Sequence, residues 1–260
     1  MGALSVAQAT REGWTAFRRA PVVFVAFSLL LALLQLPISV LQDSLGAART
    51  HGGAPSALLL SLLLSLVAHG VNCWGIAGLV RGSWIALEGR RPRLADLLRW
   101  DGAALLRLVL ATVLLALLLS LVLLPFAPVL QPIVEALETA AASGIAPAAL
   151  PVTPPGSLAL AIGLALVVYV GVNQSFLGQI ALLEGPGAWR SLVRGREVVD
   201  PQWWPVAQLR LLQALLILVG MLTCLVGVFV ALPLVTCIST AAWRQLVGRQ
   251  DQAGFSGRPA

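Results

Sequence analysis

The sequence predicts an all-α membrane protein: a six-helix transmembrane bundle with interfacial amphipathic helices on its cytoplasmic side. Three observations lead there. First, 58% of the 260 residues are apolar and only 11% are charged, against roughly 45–50% and 25% in soluble domains. A chain this poor in charge cannot cover a surface facing water. Second, the apolar residues fall into runs of about 20, the length needed to cross a ~30 Å hydrocarbon core. Third, all 17 basic residues are Arg, and they divide unevenly between the two faces that the runs define.

The first run is 21–41, preceded by twenty residues, too many for the charged start of a cleavable signal, so it reads as an uncleaved anchor. The second is 56–80. The third, 103–124, is expected to stop at Pro125, Pro128 and Pro132, which cannot continue a helix interior. A loop without Arg follows at 128–156, carrying Glu135 and Glu138, and the fourth run is 157–183. From Pro205 to Leu246 the chain is apolar for 42 residues, roughly 63 Å as a helix and about twice the core. It is therefore expected to fold back near Thr223–Gly227, giving spans five and six at 205–222 and 227–246. Residues 248–260 form a tail. With the N-terminus inside, 16 arginines lie on the cytoplasmic face, and Arg49 alone lies opposite. That bias sets orientation and places both termini in the cytoplasm.

Residues 1–20 carry Val6, Ala7, Trp14 and Phe17 on one helical arc, with Arg11, Glu12, Arg18 and Arg19 on the rest. This pattern suits a helix lying on the membrane surface. Leu94, Leu97 and Leu98 among Arg91, Asp96 and Arg99 repeat it, as do Trp189, Leu192, Val193 and Val199 among Arg190, Arg194 and Glu197. Seven of the eight tryptophans stand near the predicted cytoplasmic boundary, as an aromatic belt does. Leu87-Glu88-Gly89 and Leu183-Glu184-Gly185, each followed by an Arg-bearing segment, form a parallel internal repeat. Gly78 and Gly82, and also Gly171 and Ser175, have the small-xxx-small spacing of close helix contacts.

The pI of about 10.9 does not indicate nucleic acid, because the arginines are scattered among apolar spans. The expected partners are anionic lipid headgroups at the cytoplasmic leaflet, contacted by Arg18, Arg19, Arg91, Arg93, Arg190, Arg194 and Arg196. Cys73, Cys224 and Cys237 lack metal-ligand spacing and read as small apolar side chains. No HExxH, GxSxG or Walker lysine is present, and His51 and His69 are the only imidazoles. No enzyme, metal or cofactor is therefore expected. The candidate functional residues are polar groups inside the spans, which lipid makes costly: His69, Asn72, Asn173, Gln174 and Gln213. Counted from the cytoplasmic helix ends, His69, Asn173 and Gln213 lie roughly 12–17 Å deep and are close enough in depth to meet. They serve either as interhelical ties or as the lining of a small-solute or proton path.

The Glu-Gly loops, the segment GAWRSLVRGRE and the closing helix GVFVALPLVTCISTAAWRQL resemble a set of bacterial six-pass membrane proteins of unknown function. That set includes the membrane domain fused to some glycerophosphodiester phosphodiesterases. The resemblance implies an inner-membrane protein. The catalytic barrel is absent, so no phosphodiesterase activity is implied. The expected role is a non-enzymatic scaffold or a lipid-associated accessory or assembly factor, with a permease as the alternative.

Overall fold

The computed structural model describes residues 2–50, 55–143, 153–223, 226–248 and 253–255. Among them there is no strand. Six helical stretches are long and apolar enough to cross a membrane, and the chain is a multi-pass membrane protein.

Helix α1 (Val6–Arg19) is started by Ser5, whose hydroxyl accepts from the Gln8 amide, and closes on Arg18 and Arg19 at the negative end of its dipole. Pro21, with no amide hydrogen to lose, opens α2 (Pro21–Thr50). Helix α3 (Pro55–Leu87) returns beside it. The register is antiparallel: Gly82 faces Phe24, Gly78 faces Phe27, Gly75 faces Leu31, and the Gln35 amide donates to Ala68 O at 3.0 Å. A Cβ on Gly78 would lie 2.5 Å from the Phe27 ring, so the expected close contact at Gly78 and Gly82 is present. Gly171 has nothing within 4 Å of where a Cβ would stand; its spacing to Ser175 marks no helix contact.

Helix α3 ends in Gly89, which adopts φ +93, a left-handed cap that glycine occupies without strain. Short α4 (Leu94–Leu98) and then α5 (Gly102–Leu123) follow. The expected stop at Pro125 is only a change of helical pitch. A 3-10 turn, Leu124–Phe126, leads directly into α6 (Ala127–Ser143). Pro125 and Pro128 sit in first turns, where no amide donor is required, and Pro132 lies within α6. Much of the expected loop is therefore helix; its remaining residues 144–152 lie outside the described ones.

Helix α7 (Pro154–Asn173) is also not the continuous fourth span expected. It breaks after Asn173, resumes as α8 (Leu177–Gln179) and finishes in a π turn, Ile180–Glu184, capped by Gly185 at φ +72. Helix α9 (Ala188–Val199) leads through a turn at Asp200–Gln202 into α10 (Trp203–Leu222). The chain then reverses into α11 (Val226–Val247), as the 42-residue run requires. Gly220 and Gly227 pack backbone to backbone near the reversal.

The core is concentrated at the end of the bundle that holds both termini. The large buried side chains Phe24, Phe27, Trp84, Leu97, Phe176 and Trp243 all lie there. Toward the other end, Leu33, Leu36 and Val40 of α2 and Leu59, Leu62, Leu63 and Leu66 of α3 are exposed. Lipid solvates such side chains as well as a protein core does, so the spans can part there at little cost.

The short helices are built into this core. Helix α1 packs chiefly against α11, burying Ala9, Gly13, Ala16 and Phe17. The expected arc of Val6, Ala7, Trp14 and Phe17 only partly matches the packed face: Phe17 is buried, while Trp14 remains 46% exposed. Small residues win because they let two backbones approach: a Cβ on Gly13 would lie 2.6 Å from Ile238 Cα. Leu97 of α4 is buried against Gly82. In α9 the buried positions are Ser191, Leu192, Gly195, Val198 and Val199, while Trp189 and Val193 are exposed.

Candidate functional site

The intramembrane polar residues do not form one cluster. His69, Gln213 and the adjacent Asn173 and Gln174 belong to different helix contacts. His69 Nε2 lies 2.8 Å from the Thr112 hydroxyl and 3.6 Å from Cys73 Sγ, tying α3 to α5. Gln213 is buried and its amide donates to Ser239 Oγ at 2.9 Å, tying α10 to α11. Asn173 is also buried; its amide donates to Asp200 Oδ1 at 2.9 Å, with Tyr169 OH on the same oxygen at 3.3 Å. Gln174 donates to Leu192 O at 3.1 Å. Asn72 is exposed on the outside of α3. Asn173 meets Asp200 in the turn before α10, whereas Gln213 lies midway along α10, so the residues neither share a level nor face one another.

The break after Asn173 has a local cause. Ser175 Oγ donates to Val172 O at 2.6 Å, and such back-bonding competes with the helical ladder. Helix α9 crosses at the break: a Cβ on Gly195 would stand 2.8 Å from Gln174 Oε1 and 3.0 Å from Asn173 O. The carbonyl oxygens of both amide side chains, Asn173 Oδ1 and Gln174 Oε1, are buried without a donor.

At the arginine-rich end, the guanidinium groups have distinct tasks. Arg81, expected among the cytoplasmic flanks, is 2% exposed. Its Nε donates to Phe255 O at 3.1 Å and its Nη1 to Arg99 O at 2.7 Å. Arg194 is held by Glu184 at 3.2 Å and Glu197 at 3.4 Å, and Arg196 lies 3.9 Å from Asp200. Arg19 donates to Ala86 O and is half-buried. Arg18, Arg91, Arg93 and Arg190 are exposed; the Arg93 backbone amide is taken by Asp96 at 2.8 Å, which caps α4. Among the described residues, no group of three or more His, Cys, Asp or Glu side chains could hold a metal ion.

Two of the concavities that open beside these groups each lie between three helices. One, about 230 Å³, runs between α5, α7 and α9 and is lined by Leu115, Leu118, Val122, Val170, Leu192 and Val193, with Gln174, Trp189 and Arg196 as its polar or amphipathic members. The other, about 440 Å³, lies between α1 and the ends of α3 and α11 and is lined by Arg11, Arg19 and Arg244. The arginines are legible in the sequence, but their partners are not. Thr112, Asp200 and Ser239 are single polar residues without a motif, and Phe255 lies in a tail with no apolar periodicity to announce docking. No protein-family model, curated protein or solved structure matches this chain.

Proposed function

We propose that this multi-pass protein is a non-enzymatic, lipid-associated scaffold or assembly factor of the bacterial inner membrane, with both termini in the cytoplasm. The observation that carries this reading is the groove between α5, α7 and α9. Its wall is almost wholly apolar, and Arg196 and Trp189 of α9 line it too. An acyl chain suits the leucine and valine wall. A phosphate suits the guanidinium, and exposed Arg190 adds a second positive charge on the same helix. The sixteen-to-one arginine bias supports the orientation.

The separate pairing of the polar residues favours this reading over a permease. A solute path needs polar groups that face a common opening, whereas His69, Asn173 and Gln213 each hydrogen-bond at a different helix contact.

The test is mass spectrometry of lipids that remain bound after purification in mild detergent. The wild-type protein should retain anionic phospholipid. Leu118→Trp, which fills the groove, should lose it, and Arg196→Gln should weaken it by about 1 kcal/mol. Equal retention by the wild type and the Leu118→Trp protein would overturn the reading.

A further inference from the structure

We propose that the cavity between α1, α3 and α11 is a binding site for a phosphate ester. Its walls supply three guanidinium groups, Arg11 and Arg19 from α1 and Arg244 from α11, against one carboxylate, Glu12. The cavity holds about 440 Å³, within the range of about 300–1,000 Å³ in which small-molecule sites fall. Glu12 already accepts from the Gln8 amide at 2.8 Å. Neither Arg11 nor Arg19 lies within ion-pair distance of a carboxylate among the described residues.

The arginines are also oriented. Arg19 is anchored by one nitrogen on Ala86 O. Arg244 rests over the Trp84 ring at 5.3 Å, which fixes the plane of its guanidinium. Guanidinium groups held this way present paired N–H donors, a geometry that phosphate oxygens accept two at a time. In the same wall, Gln245 Oε1 accepts from the Ser5 amide at 3.0 Å, while its Nε2 is buried without an acceptor. The phosphate could belong to a lipid headgroup or to a soluble ester. The site shares no lining residue with the groove between α5, α7 and α9 and does not depend on lipid bound there.

The full-length protein in detergent is titrated with glycerol 3-phosphate and, separately, with a short-chain phosphatidylglycerol, and read by tryptophan fluorescence, since Trp84 lies under Arg244. Saturable binding of both assigns a phosphate-ester site open to water; binding of the lipid alone assigns a headgroup site. In either case the Arg11→Gln/Arg19→Gln double variant should bind about tenfold more weakly. Arg244→Gln should do the same, but it disturbs the contact with Trp84; Arg11→Gln alone removes an exposed side chain without that risk. Arg99→Gln, at an exposed side chain outside the cavity, should bind as the wild type does. The proposal is overturned if neither probe binds, or if Arg99→Gln weakens binding as much as Arg11→Gln does. Because Leu118→Trp should leave this binding intact, failure here is distinct from failure of the groove.

Discussion

The guanidinium of Arg81 sits 4.0 Å above the ring of Phe255 while its Nε donates to the same residue's carbonyl. One residue of the C-terminal tail therefore covers a buried charge with both its ring and its backbone. The Ala253 amide, donating to Leu183 O at 2.9 Å, fixes the tail beside Gly185.

Phe255→Ala should therefore lower stability by about 2 kcal/mol, the worth of a desolvated cation–π contact. Arg81→Leu should cost about 3 kcal/mol, because the Asp96, Arg99 and Phe255 carbonyls lose that donor inside the core. Thermal unfolding in detergent measures both. An unchanged melting temperature in Phe255→Ala would mean that the tail rests on Arg81 without holding it.

Glycines at two positions should respond with opposite signs. Gly13→Ala sets a methyl against the Ile238 backbone and should destabilise by about 1–3 kcal/mol, freeing α1 for tryptic cleavage at Arg11 and Arg18. Gly171→Ala meets open space and should gain up to about 1 kcal/mol of helix propensity. Resistance of α1 to trypsin in Gly13→Ala would contradict the close α1–α11 crossing.

The tie between His69 and Thr112 should behave as an ordinary interhelical hydrogen bond. A double-mutant cycle of His69→Leu and Thr112→Val should give a coupling of about 0.6 kcal/mol. If His69→Leu kept its stability but abolished a cellular phenotype or a proton flux, the permease reading would replace the scaffold.

Topology is read by reporter fusions. Those after Gly46 and Thr223 should report the external side, and those after Arg91, Gly187 and Gly248 the cytoplasm. A cytoplasmic signal after Thr223, with the others as stated, would break the α10–α11 hairpin.

Quantities read along the chain suffice for the class of the protein, the six helices long and apolar enough to cross a membrane and the reversal after Leu222. Those quantities are local: apolar run length against bilayer thickness, and arginine placement between runs. The sequence also carried the two Glu-Gly turns, where Gly89 and Gly185 share a left-handed conformation. Which face of each helix is used follows from packing, not from the sequence pattern. Trp14 and Phe17 have equal claim to a membrane face by hydrophobicity, yet only Phe17 is buried, because Ala9, Gly13 and Ala16 bring α1 against α11. Counting the rise per residue puts His69, Asn173 and Gln213 at one depth, but Asn173 meets Asp200 before α10 begins, while Gln213 lies midway along α10. Their partners Thr112, Asp200 and Ser239 follow from rotation about each helix axis, and only packing fixes that rotation. The proline stretch after α5 likewise stayed helical, since a 3-10 turn lets two prolines occupy first turns that need no amide donor.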